Sequence, residues 1–96
     1  MFMLHDPSHQ ASETISLRCL APRARSVCLV ADFNGWNPTA HPMERQLDGC
    51  WLIHLSLPEG HHHYQFLVDG EAVLDPEAMC VFSHERNEKV SLLALG

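Results

Sequence analysis

Three groups of residues in this chain have side chains and spacings that could do chemistry. His61-His62-His63 presents imidazoles in a run, and imidazole is the commonest zinc and copper ligand. Asp69, Glu71 and Asp75 are carboxylates close enough in sequence to consider as an acid/base pair. The stretch Ala31-Asp32-Phe33-Asn34-Gly35-Trp36-Asn37-Pro38 carries an indole, a flat apolar surface with one polar handle, among residues that favour turns.

The first two groups lose weight when their backbone context is considered. Adjacent residues of a strand point to opposite faces, so only His61 and His63 could converge, and no cysteine or second histidine motif completes a tetrahedral set. The run reads as a polar strand start, and no metal or other cofactor is expected. Asp69 precedes a glycine, Glu71 follows one and Asp75 precedes a proline, which are turn contexts where carboxylates bond the local backbone. No nucleophile stands with a base and an orienting third group, and the five glycines are isolated rather than gathered into a phosphate loop. No enzymatic activity is expected.

The Trp36 stretch keeps its weight. It begins where the apolar run Val27-Cys28-Leu29-Val30 stops, and Asn34, Gly35, Asn37 and Pro38 oblige the chain to leave a sheet there. An aromatic ring on a loop held by a rigid sheet suits ligand contact, and equally it could plug the end of a core. The loop chemistry alone leaves both readings open.

Composition narrows the ligand. A formal net charge of −6, with six Lys and Arg in total and no basic run, disfavours nucleic acid and anionic membranes, which need clustered cations. A neutral ligand or a protein surface is left. With 46% hydrophobic and 19% charged residues in 96, the chain has the makings of one ordinary globular domain. Met1-Phe2-Met3-Leu4 is too short for a signal-peptide hydrophobic region and lacks a basic start, so the expectation is a cytoplasmic monomer. Cys19, Cys28, Cys50 and Cys80 are spaced too widely for a zinc knuckle or a redox pair, and read as buried free thiols.

Stepping along the chain, residues 1–12 are polar and aperiodic and read as a flexible tail, with a single domain over 13–96. Thr14 to Leu20 alternates, with Ile15, Leu17 and Cys19 on one face. Ser26 to Ala31 is continuously apolar and so covered on both sides or central in its sheet. Met43 to Arg45 is a short strand, and Cys50 to Leu57 alternates with Trp51, Ile53, Leu55 and Leu57 inward. A three-residue loop with Gly49 left-handed would pair Met43 with Ile53, whereas a two-residue loop would pair Glu44 with it; the first puts Met43 inside. His61 to Val68 alternates next, with His62, Tyr64, Phe66 and Val68 on one face and His61, His63, Gln65 and Leu67 on the other. Asp69-Gly70 is a two-residue hairpin signal that sets Phe66 opposite Val73 on the core face and leaves Gln65 and Ala72 on the outer face. Glu77 to Asn87 is expected as a loop or short irregular strand, and Val90 to Ala94 as the last strand. No helical period persists, so the expected fold is an all-β, antiparallel β-sandwich of about seven strands.

The run Val27 to Trp36, then Pro42-Met43, Gly49-Cys50-Trp51, Leu57-Pro58-Glu59-Gly60, Tyr64-Gln65-Phe66-Leu67-Val68-Asp69-Gly70, Asp75-Pro76 and Asn87 before the last strand, resembles carbohydrate-binding module family 48. That family includes the glycogen-binding domain of the AMP-activated protein kinase β subunit and the N-terminal domains of glycogen branching enzymes and isoamylases. The resemblance implies an immunoglobulin-like sandwich that binds α-1,4-glucan and is not catalytic. It implies a sugar-stacking role for Trp36 and a hydroxyl-binding role for Asn87. Where the kinase domain has a lysine this chain has Gln65, and where it has a second tryptophan this chain has Ala72. The expected function is therefore weak recognition of glycogen, starch or maltooligosaccharide through Trp36, Gln65, Asn87 and the surface around Ala72. The alternative is a regulatory module that has lost sugar binding and docks an amylase-type enzyme or a kinase.

Overall fold

The structure, a computed structural model, describes residues 12–96. The expected tail over 1–12 lies outside the described residues except for Ser12, which opens the first strand. Eight strands follow in order: β1 (Ser12–Leu20), β2 (Val27–Ala31), β3 (Glu44–Arg45), β4 (Cys50–Pro58), β5 (Gly60–Val68), β6 (Glu71–Val73), β7 (Met79–Ser83) and β8 (Glu88–Leu95). They form an immunoglobulin-like β-sandwich, with a three-stranded sheet β1-β4-β3 facing a five-stranded sheet β2-β5-β8-β7 to which β6 is attached through β5. The described strand pairs are antiparallel.

Period-two alternation builds the core. Leu17, Cys19, Trp51, Leu55 and Leu57 from the smaller sheet meet Val27, Leu29, Ala31, Tyr64 and Phe66 from the larger one. Phe66 has no exposed surface, and truncating it to alanine would cost about 3–5 kcal/mol through lost transfer energy and the cavity left behind.

Turn chemistry sets the registers as the sequence predicts. Gly49 has φ 88°, and the Gln46 amide donates to the Cys50 carbonyl at 2.7 Å across the three-residue loop. Glu44 then pairs with Leu52 and Arg45 with Trp51, which extends to Met43 against Ile53. Met43 is buried and Glu44 exposed. The Asp69-Gly70 turn pairs Val68 with Glu71, Leu67 with Ala72 and Phe66 with Val73.

Two expectations need correction, and one left open is decided. Val73 lies opposite Phe66 but is exposed, because it lines a groove between the sheets instead of being covered by the smaller one. β2 meets the first of its two expected alternatives: it is covered on both faces, with Leu29, Val30 and Ala31 buried, although it lies at the edge of its sheet. That edge is closed as well: the Leu29 amide donates to the His41 carbonyl and the Met43 amide to the Val27 carbonyl, both at 2.8 Å, so the 41–43 segment occupies it. Finally, Glu77 to Asn87 contains a regular strand, β7, and β8 starts at Glu88, so the two form a hairpin closed by the pair Ser83 and Glu88. The run Met79-Cys80-Val81-Phe82 does not alternate, and as an edge strand it exposes Met79, Cys80 and Phe82, which is why period two misses it. Cys80 is accordingly an exposed thiol, Cys28 and Cys50 are half-buried, and Cys19 is buried; all four are free.

Candidate functional site

β2 ends at Ala31 and the chain enters a single 3₁₀ turn, Asp32–Asn34, followed by Gly35 at φ 67° and Trp36 at φ 58°. Asn34 clamps this loop. Its Oδ1 accepts from the Ala31 amide at 3.0 Å, and its Nδ2 donates to the Leu29 carbonyl at 3.0 Å and to His41 Nδ1 at 2.9 Å. The Trp36 amide donates back to the Ala31 carbonyl at 2.8 Å. Asp32 ties the loop to β5: its Oδ2 accepts from the His63 amide at 3.1 Å and lies 3.3 Å from His63 Nδ1. The loop that carries the indole is therefore fixed at both its strands. Left-handed backbone is ordinary for Gly35, but at Trp36 the side chain offers no local hydrogen bond to offset its cost.

Trp36 is half-buried, and a guanidinium lies over its ring. Arg86 Cζ is 4.6 Å from the ring centroid. Arg86 belongs to the turn between β7 and β8; its amide donates to Ser83 Oγ at 3.1 Å, and its Nε lies 3.4 Å from Glu88 Oε2. Asn87 follows at φ 56° and is exposed, so the structure brings its turn to Trp36. Sequence reasoning missed Arg86. Its single cationic side chain beside acidic neighbours carries no local signal of a partner in a distant loop.

Trp36 and Arg86 leave from strands on opposite sides of β5, so their contact spans that strand. Beneath lies the outer face of the larger sheet, with Val30 opposite Gln65. Val30, Gln65 and Val90 are 4%, 3% and 0% exposed, although none belongs to the core between the sheets. Gln65 thus lies on the predicted face but is buried. It stands where the edge of β5 passes from β8, whose pairing ends at Tyr64–Ser91, to β6, whose pairing begins at Phe66–Val73. Its Nε2 donates to the Lys89 carbonyl at 2.9 Å and bridges that fork. Ala72 is on the same face and exposed. Two buried polar atoms on this side have no hydrogen-bond partner within the described residues, the donor Trp36 Nε1 and the acceptor Gln65 Oε1. Orphans of this kind are uncommon in folded proteins, and each is costly to leave unmade.

The histidine run divides as strand geometry requires. His62 Nε2 lies 2.9 Å from the Pro58 carbonyl on the inner side, its ring edge-on to Phe33, while His63 faces Asp32. Of the three carboxylates, Asp69 Oδ1 accepts from the Arg25 and Ser26 amides, and Asp75 Oδ2 accepts from the Tyr64 hydroxyl at 2.6 Å. Burial and the Asp75 carboxylate push the Tyr64 hydroxyl well above the ordinary tyrosine range. These groups serve the fold. A groove of about 650 Å³, lined by Arg18, Leu20, Cys50, Val73 and Leu74 among others, opens between the sheets and includes none of Trp36, Gln65, Ala72 or Asn87.

Comparison with known proteins places these features in context. Residues 21–94 match the family described as the glycogen recognition site of AMP-activated protein kinase. The 1,4-alpha-glucan branching enzyme GlgB of Lactobacillus acidophilus is 39% identical over 74 residues, covering 74% of this chain and 11% of that enzyme. GlgB 2 of Xanthomonas oryzae pv. oryzae is 40% identical over 63 residues, covering 60% of this chain and 9% of that enzyme. The chain therefore spans about a tenth of the length of the curated relatives it matches.

Proposed function

The chain belongs to the family of carbohydrate-binding modules typified by the glycogen recognition site of AMP-activated protein kinase, and from that premise we propose that it binds an α-1,4-glucan weakly on the outer face of its larger sheet, with Trp36 as the stacking surface. The observation that carries this reading is Trp36 itself: an indole held by a clamped loop in left-handed backbone, with its N–H left without a partner. Strained backbone persists where the surroundings over-determine it, and often where a ligand is met. A pyranose offers an apolar face of C–H groups to the ring and hydroxyls that both donate and accept. An open face also suits a polymer, whose internal residues cannot enter a closed pocket. The branching enzymes that resemble this chain act, by name, on 1,4-alpha-glucan, which agrees with the neutral ligand that the net charge favours.

In this reading Asn87, exposed and next to Arg86 in the chain, offers its amide to sugar hydroxyls, and Gln65 is buried on the outer face of the same sheet. Ala72 contributes surface but no ring. Lack of a second aromatic anchor costs about 2 kcal/mol, or roughly 30-fold in affinity, so binding to a single short sugar is weak and repeated sites on a polymer supply avidity. The module has no catalytic role in this reading, and four free thiols suit a cytoplasmic setting. One observation favours the alternative, docking of an amylase-type enzyme or a kinase: the indole is already covered by Arg86. Native electrophoresis through glycogen separates the two. The wild type should be retarded and Trp36→Ala should run as it does without glycogen; equal mobility of both, with and without the polymer, would discard glucan binding.

A further inference from the structure

We propose that Arg86 sets the affinity of this site by competing with sugar for the face of Trp36, so that a glucan binds only as the guanidinium is released. The proposal rests on the glucan reading above and adds to it a residue that the sequence pattern does not single out. The guanidinium lies 4.6 Å from the ring centroid, within the range in which a cation is held by an aromatic quadrupole. It is kept there from one side by Glu88 at 3.4 Å, and its own backbone is fixed by the bond from its amide to Ser83 Oγ. That bond comes from the backbone N–H and not from the guanidinium, so the side chain can leave without unmaking the turn.

A second, independent observation points to a ligand on this face of the sheet. Gln65 is 3% exposed, yet its Oε1 has no partner, and Trp36 Nε1 is shielded and has none either. One of these atoms accepts and the other donates. Hydroxyl groups do both, and a sugar brings several. The covered state therefore leaves unmade hydrogen bonds that a polyhydroxylated ligand can complete once Arg86 withdraws. Arg86, with its planar guanidinium over the indole, acts as a stand-in for the sugar ring, but without the hydroxyls.

The test compares wild type, Arg86→Ala and Arg86→Met by acrylamide quenching of tryptophan emission and by titration with β-cyclodextrin. Arg86→Met keeps an apolar stem of similar length, and so guards against a loss of folding in the alanine variant. Both variants should show stronger quenching, because Trp36 is uncovered while Trp51 stays buried, and both should bind about two- to fivefold more tightly, the range expected for removal of a partly exposed cation–π contact. The wild-type affinity should rise with ionic strength as screening loosens the guanidinium, whereas that of Arg86→Met should not. Weaker binding by both variants would overturn the proposal and make Arg86 a wall of the site. Unchanged quenching would overturn it by removing the stack. If none of the three proteins binds the sugar, the glucan reading falls and competition falls with it, and the quenching still reports separately whether the stack exists in solution.

Discussion

The two tryptophans occupy regions that differ in one respect above all, the fate of the indole N–H. Trp51 lies at the end of the core, 7% exposed, and its Nε1 donates to the Ala21 carbonyl at 2.9 Å. The neighbouring Arg45 sits 5.9 Å from its ring centroid and donates to the Pro22 carbonyl at 2.9 Å, so ring and cation together staple the Ala21-Pro22 turn to the β3–β4 hairpin. Trp36 also carries an arginine over its ring, but its Nε1 has no partner and its arginine is held by Glu88 rather than by backbone. At Trp51 the indole N–H is used by the fold. At Trp36 it is left over. β5 repeats the contrast across its two faces: the inward Tyr64 hydroxyl is bonded to Asp75, whereas the outward Gln65 keeps a buried oxygen without a partner. A region complete in itself serves stability, and a region with unmet hydrogen bonds is the better candidate for recognition.

The largest effect should separate the two rings. Trp51→Ala is expected to destabilise the domain by about 3–5 kcal/mol in urea unfolding, and Trp36→Ala by about 1 kcal/mol or less while abolishing glucan retention. Equal losses of stability would break the contrast. The glycines beside the two rings should follow it. A Cβ at Gly49 would come within 2.8 Å of Pro22 Cβ in addition to the left-handed strain, whereas a Cβ at Gly35 meets nothing within 4 Å. Gly49→Ala should therefore lower stability by about 3 kcal/mol and Gly35→Ala by about 1 kcal/mol, as read by the shift in urea midpoint at constant slope.

On the recognition side, Ala72→Trp adds a ring to the exposed part of the outer face and should tighten β-cyclodextrin binding about tenfold, measured by calorimetry. No gain would mean that Ala72 lies outside the sugar's path. The smallest effect is Tyr64→Phe, which leaves Asp75 short of a donor and should cost about 1 kcal/mol at neutral pH. Its signature is in the pH dependence. The hydroxyl ionises at higher pH in the folded chain than in the unfolded one, so its contribution is fully present below the ordinary tyrosine range. It is lost as pH rises above that range toward the folded-state value, because the unfolded state ionises first. The phenylalanine variant should lack that alkaline loss of stability.

Much of this was legible in the residues. Alternation put Tyr64 and Phe66 inside and Gln65 outside, and the Asp69-Gly70 and Gly49 turns set Leu67 against Ala72 and Met43 toward Ile53, as found. The β7–β8 hairpin was not legible, since Met79 to Phe82 exposes apolar residues on an edge and so breaks the pattern on which the reading depends. Arg86 was not legible either.

What the sequence by itself determined is local: which way the side chains of the alternating strands face, which glycine turns close, and that an indole stands on a loop after β2. These follow from a period of two and from the φ preferences of Asn, Gly and Pro, which act over a few residues. Tertiary structure alone decided that Gln65 is buried at the fork between β8 and β6, that Arg86 lies over Trp36, and that Trp36 Nε1 and Gln65 Oε1 lack partners. Whether a polar group is covered or satisfied depends on which distant segment passes above it. No residue pattern in its own strand carries that information.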